Sequence, residues 1–316
     1  MSHNIQNSKA ILLIFIGMSV FAIQDTLIKL LSDSTNIYLI YFVRCIVGLI
    51  VIYFYLKIKK IPIIIYTFYP KLTVLRTVLF FLGFSLYYYS LNELSLALAI
   101  TLFFVSPFFV TIFSMIIIKE SVGIRRWLAI TIGFIGVFLV MDPKFDNFNI
   151  YLLFPVICAM CYAFTVVIQK KTSDKDSLFS QIIHIYISAI IFSLLIKLFL
   201  FNYSFSPDLV EDYKFLLSDW NIDSFEIFVM LICVGLTGVI GFLCLFGAYN
   251  IGSPSIIAPF EYIIIFWAIL ISWMIWGETL AFQSFVGLIL IISSGIYTFV
   301  RETMLNKKIS VDKPMR

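Results

Sequence analysis

The chain has 316 residues, is 62% hydrophobic and only 13% charged, and carries a formal net charge of +4 with a mean hydropathy of +1.05. Soluble domains are about half apolar and about a quarter charged, so this composition excludes a mainly soluble protein and indicates a polytopic membrane protein. Basic residues are spread along the chain instead of forming one patch, which argues against a nucleic-acid partner.

Apolar runs near twenty residues long predict ten transmembrane helices, over 9–31, 36–56, 71–91, 95–118, 125–141, 149–169, 178–200, 226–249, 255–276 and 281–300. The first run is too long for a signal-peptide core and contains Asp25 and Lys29. These two are four apart with the acid first, an order that suits an intrahelical ion pair. The alternative partner for Asp25 is Arg44, at similar depth in the second run. Arg44 keeps its charge and offers five donors suited to a carboxylate or phosphate. It either binds a substrate anion or locks helices together.

Arg76 lies near the start of the third run, where reaching back to the interface would explain it. Gly83 and Tyr87 follow on the same helix face. In the sixth run Cys158, Tyr162, Thr165 and Gln169 form a polar stripe, with Tyr162 and Thr165 as its cavity-facing members. Ser177, Gln181, His184 and Ser188 form another in the seventh. His184 either carries a coupling proton or makes an interhelical hydrogen bond. The loop 201–225 carries Asp208, Glu211, Asp212, Asp219 and Asp223 against one Lys214, and its Tyr203, Phe215 and Trp220 suit a segment resting on the membrane surface or a solvated connector.

Glu261 stands inside the ninth run, where a charge costs about 2.5–3.5 kcal/mol on insertion scales. It follows Pro259, which removes a backbone donor and favours irregular backbone beside a cavity or another helix. Glu120 and Glu278 each close a span before a short turn, which suits capping or the interface. Ala129, Gly133 and Gly136 form a small-residue face for close helix contact. Phe103, Phe104, Phe108, Tyr87, Tyr88, Tyr262 and Trp267 have rings able to stack on a planar solute or to fill a membrane core.

With the N-terminus inside, the cytoplasmic loops and ends collect 16 of the 22 basic residues and the external loops only Lys144 and Lys214. Both ends are therefore expected in the cytoplasm. The segment from Leu91, "LNELSLALAITLFFVSPFFVTIFSMIIIKESV", overlays the one from Tyr249, "YNIGSPSIIAPFEYIIIFWAILISWMIWGETL", at an offset of 158 residues. Asn92 meets Asn250, Ser95 meets Ser253, Glu120 meets Glu278, and Phe103 meets Glu261. Two halves of five spans each must enter the membrane in opposite senses, as in inverted-repeat secondary transporters.

Together with Arg44 in "YFVRCIVGL" and Arg76 in "VLRTVLFFLGFSLYYYSL", these segments resemble the EamA branch of the drug/metabolite transporter superfamily. The resemblance runs from about Lys9 to Arg301. It implies an all-α membrane fold of ten helices in two inverted five-helix repeats, 9–141 and 149–300, followed by a cytoplasmic tail, 301–316. It also implies alternating-access transport of a small organic metabolite across a bacterial cytoplasmic membrane, by a monomer or homodimer. Similar sequences include riboflavin and S-adenosylmethionine uptake proteins and amino-acid or metabolite exporters; a flippase for lipid-linked substrates is a rival.

Substrate contacts are expected from Arg44, Arg76, Tyr87, Tyr88, Phe103, Phe104, Tyr162, Thr165, His184, Glu261, Tyr262 and Trp267. Proton coupling is expected from Asp25, His184 or Glu261. No cofactor or metal is expected: Cys158-x-x-Cys161 has no companion Cys/His pair, and the histidines are His3 and His184. The sequence has no G-x-x-x-x-G-K-[ST] loop for ATP and no paired intramembrane aspartates for an enzyme.

Overall fold

The computed structural model describes residues 2–119, 124–141, 149–203, 205–251 and 258–311. Among them the chain is all-helical, as a bilayer requires of a segment that must satisfy its own backbone hydrogen bonds. The helices are α1 (Ser2–Leu31), α2 (Ile37–Ile58), α3 (Pro70–Glu93), α4 (Leu96–Phe103), α5 (Ser106–Phe113), α6 (Ile124–Met141), α7 (Leu153–Thr172), α8 (Leu178–Phe201), α9 (Pro207–Asp212), α10 (Lys214–Leu217), α11 (Phe225–Ile251), α12 (Ile263–Ile271) and α13 (Phe282–Val311).

Seven stretches are long and apolar enough to cross a membrane: Ser8–Leu31, Ile37–Ile58, Pro70–Glu93, Leu96–Ile117, Ile150–Thr172, Leu178–Phe201 and Phe225–Leu245. The described parts of the fifth, ninth and tenth expected spans are shorter apolar helices, Trp127–Met141, Phe260–Trp276 and Phe282–Tyr297. Helix α13 runs on to Val311, so 301–311 of the expected tail continues the last helix.

Local chemistry sets the helix starts. Asn36, Ser95 and Ser177 accept from the backbone N–H groups of Tyr38, Leu98 and Ser180, capping α2, α4 and α8. Pro70 opens α3, where its missing N–H costs nothing. The fourth expected span is broken at Phe104–Val105 into α4 and α5, just ahead of Pro107. It ends in a π-helical turn, Ser114–Ile118, closed by Lys119 at φ 62°. Helix α12 has the same ending: a π-helical turn, Ser272–Trp276, closed by Gly277 at φ 67°. Ahead of α12, Pro259 and Glu261 lie in a 3₁₀ turn, Ala258–Tyr262. Glu120 lies outside the described residues.

Helix packing is reciprocal. α1 lies along α11, and α3 lies along α7; α2 packs on both α11 and α8, and α3 also contacts α8. α12 contacts α1 and α4, while α7 contacts α4 and α5. α6 and α13 pack on each other at one edge. The small-residue face of α6 is used as its sequence suggests. Gly133 receives the Phe108 ring, and Gly136 meets Gly287 of α13 backbone to backbone. A Cβ at Gly287 would lie 2.7 Å from Val140 Cγ2 and 3.0 Å from Val140 N.

The loop 201–225 is more than a solvated connector. It forms α9 and α10 and docks on the bundle. Asn36 Nδ2 donates to Leu216 O at 2.8 Å and Ser218 O at 2.9 Å. Phe215 is buried and stacks on Tyr89 at 6.4 Å, and Trp220 meets Phe42 at 5.2 Å.

Replacing Gly287 with Leu is expected to separate α6 from α13 and to destabilise the protein by about 1–3 kcal/mol, the usual cost of overpacking. Equilibrium unfolding in mixed micelles checks this; unchanged stability would mean that the close approach carries no energy.

Candidate functional site

The intramembrane charges divide into two groups. Toward the C-terminal end of α1 and the N-terminal end of α2 are Asp25 and Arg44, only 7% and 5% exposed. Tyr87 donates to Asp25 Oδ2 at 2.9 Å, and Arg44 Nη1 donates to the Tyr88 hydroxyl. The Arg44 guanidinium also lies over the Tyr88 ring, 5.5 Å from its centroid. Asp25 and Arg44 are near enough to interact through space, yet neither is in an ion pair with the other. The expected Asp25–Lys29 pair is also not made. Lys29 turns instead to Leu94 O at 2.5 Å, Glu278 Oε1 at 3.5 Å and the Trp276 ring at 5.0 Å. Glu278 therefore ties the end of α12 to the end of α1 and does not cap the next helix.

At the opposite ends of the helices, Arg76 is 1% exposed, so interfacial reach does not explain it. Its Nη1 donates to Gln181 Oε1 and its Nη2 to Gln181 O at 3.3 Å. Gln181 Nε2 donates to Asp176 O at 3.0 Å. Asp176 in turn holds a strap, residues 61–69, between α2 and α3: its carboxylate accepts from Thr67 Oγ1 at 2.6 Å and Phe68 N at 3.0 Å. His184 Nε2 donates to Ile65 O in the same strap at 2.6 Å. Tyr69 donates to Asp174 at 2.9 Å, which holds its phenol above the ordinary value. Arg76 and His184 are thus engaged by the strap and its supports.

Aromatic rings link the two levels. Phe84 lies 6.2 Å from Tyr87, 5.9 Å from Tyr88, 6.0 Å from Phe103 and 6.2 Å from Tyr162. Phe103 lies 5.5 Å from both Tyr87 and Tyr162. Phe104 continues to Tyr262 at 5.1 Å, and the Glu261 charge acts through space on Tyr162 and Tyr262. A continuous aromatic column, drawn from α3, α4, α7 and the turn before α12, therefore runs between Asp25–Arg44 and Glu261. The overlay sets Phe103 opposite Glu261; Phe103 packs on Tyr162, and the Glu261 charge acts on the same residue through space.

Not every expected residue joins the column. Trp267 packs edge-on against Phe15 of α1 at 6.3 Å. Phe108 is turned toward α6, 6.2 Å from Phe134. Thr165 spends its hydroxyl on Tyr162 O at 2.6 Å. Sequence reasoning missed Phe84, the hub of the column, although its spacing of three and four from Tyr87 and Tyr88 places it on their face. It also missed Gln24 and Asp176. Among the described residues no cluster of His, Cys, Asp or Glu could hold a metal.

The arrangement can surround a planar ring with aromatic faces while offering charges of both signs at its ends. The chain is 24% identical over 288 residues to an S-adenosylmethionine uptake transporter of Rickettsia prowazekii, covering 89% of each. It is 25% identical over 237 residues to a riboflavin transporter of Vibrio cholerae, covering 74% of this chain and 73% of that one. A protein of known crystal structure shares the fold at a TM-score of 0.63 and 14% identity, over 94% of this chain and 99% of that one. The model of the EamA-like transporter family matches residues 8–142 and again 149–300. The chain belongs to the EamA-like transporter family.

Proposed function

We propose that this protein is a secondary carrier that moves a small aromatic metabolite across a bacterial cytoplasmic membrane by alternating access. The observation that carries the proposal is the aromatic column with buried Asp25 and Arg44 at one end and the half-buried Glu261 at the other, held between helices of the two halves. The proposed architecture is ten spans in two inverted five-helix repeats, 9–141 and 149–300, with both termini cytoplasmic.

Three observations support that architecture. The basic residues collect on one side. The two π-helical turns with left-handed closing residues, Lys119 and Gly277, stand 158 residues apart, the offset of the sequence overlay. The contacts are also related by exchange of halves. α1 against α11 corresponds to α7 against α3, and α2 against α11 to α8 against α3; α2 with α8, α4 with α12 and α6 with α13 are their own counterparts. In an inverted repeat such exchange places the substrate at the shared midplane.

Two closures bracket the column in this arrangement. The outer one is Lys29 with Glu278, Leu94 O and Trp276; the inner one is the 61–69 strap held by Asp176, with Arg76, Gln181 and His184 behind it. Alternating access then consists of releasing one while the other holds. Uptake of S-adenosylmethionine and uptake of riboflavin are the two specific readings that the relatives support; Glu261 is the proposed proton-coupling group.

Uptake of either labelled metabolite into proteoliposomes tests the proposal. A pH gradient is expected to raise wild-type accumulation several-fold and to leave the Glu261→Gln variant unchanged; equal gradient-independent uptake by both would remove the coupling role. For the inner closure, Asp176→Ala is expected to speed amide hydrogen exchange at Phe68 about tenfold, the loss of roughly 1–1.5 kcal/mol of hydrogen bonding. Exchange as slow as in the wild type would show that the strap is held by other contacts.

A further inference from the structure

A buried charge is costly unless it is paired and hydrogen-bonded. Arg44 and Asp25 are both more than nine-tenths buried, lie on consecutive helices and are joined to neighbouring tyrosines, yet neither forms an ion pair among the described residues. Arg44 uses Nη1 on the Tyr88 hydroxyl, while its Nε is buried with no hydrogen-bond partner. Gln24 Oε1 and the Tyr41 hydroxyl are likewise buried and unpartnered. Three polar side chains at one level of the bundle, Arg44, Gln24 and Tyr41, therefore hold unused bonding capacity.

The unused edge of Arg44 has a definite direction. Nε and Nη2 form the fork that grips a carboxylate through two parallel hydrogen bonds. That fork faces Gly238 of α11: a Cβ there would lie 3.1 Å from Arg44 Nε, 3.5 Å from Nη2 and 2.7 Å from Gln24 Oε1. In this arrangement the α11 backbone covers the fork, made possible by the absent side chain. Withdrawal of α11 would uncover it.

We propose that Arg44 and Asp25 form a seat for an α-amino-acid head group, and that the transported solute is a zwitterion bearing a planar ring. The Nε–Nη2 fork of Arg44 takes the carboxylate. Asp25, whose carboxylate is held by the neutral side chains of Tyr87 and Gln24, takes the ammonium, with Gln24 Oε1 as a further acceptor. The ring then lies along the column, against Phe84, Phe103 and Tyr162. The ligand's charges are opposite in sign to those of the seat, so the solute supplies the ion pairs the closed protein lacks. This deepens the carrier reading and rests on it. Of the two metabolites that name the relatives, S-adenosylmethionine has such a head group and riboflavin does not.

Binding distinguishes the two ideas from transport. Ligand-induced thermal stabilisation of the purified full-length protein is measured with S-adenosylmethionine and tryptophan, each beside its decarboxylated form, and with riboflavin. At least one zwitterion is expected to bind about a hundredfold or more tighter than its decarboxylated form, because the analogue leaves the buried fork unpaired. Arg44→Gln is expected to cut that ratio below about threefold. Riboflavin binding as tightly as the better zwitterion, no preference for the carboxylate, or no stabilisation by either zwitterion would overturn the proposal. Should Arg44→Gln not fold, the wild-type ratio alone decides. Zwitterion binding without uptake into proteoliposomes would instead sink the carrier reading and leave the seat standing.

Discussion

Charge carried into a bilayer must be answered by the protein, because the lipid tails offer nothing. Four side chains set that demand here: Asp25, Arg44, Arg76 and Glu261. Arg76 is answered by Gln181, which is braced on Asp176, and Asp176 pins the strap; one cation thereby orders the junctions α2–α3 and α7–α8. Arg44 is answered only in part, by Tyr88. The tyrosines of α3 consequently stand between the charges of α1 and α2 and the rings of α4 and α7. The helix order around the column follows from where those charges can find partners.

A partly answered charge is also a means of recognition. The Arg76 network also leaves Nε without a partner, but both Nη groups are spent on Gln181, which is braced on Asp176. Partial pairing stores affinity for a solute that completes it, at the expense of stability when the site is empty. The closures at the two ends are built differently from this centre. Lys29 and Glu278 lie 10% and 33% exposed, and the strap is held through backbone and hydroxyl groups. The Lys29–Glu278 pair is partly wetted, whereas the anchors of the strap, Asp176 and His184, are buried.

Local features were legible in the sequence. The apolar runs locate the helices, and the 158-residue offset that aligns Phe103 with Glu261 also aligns Lys119 with Gly277, two left-handed closing residues. Small residues on α6 marked a contact face. Partnerships across the chain were not legible. Asp25 and Lys29 share a helix face, but side-chain spacing cannot reveal that Glu278, Leu94 O and Trp276 offer Lys29 more. Asp176 reads as an ordinary loop acid because the strap that it holds lies more than a hundred residues away in sequence. The loop 201–225 looked solvated because its acidic surface hides one buried ring, Phe215, and two carbonyls that meet Asn36.

The central claim is that the column between Arg44 and Glu261 is the binding site. It is tested most directly by an experimental structure of the full-length protein with S-adenosylmethionine bound. The account predicts the amino-acid head group at Arg44 and Asp25 and the adenine ring among Phe84, Phe103 and Tyr162. A ligand seated elsewhere, such as the outer hollow lined by Tyr89, Tyr213 and Asp33, with the column still closed, would contradict it.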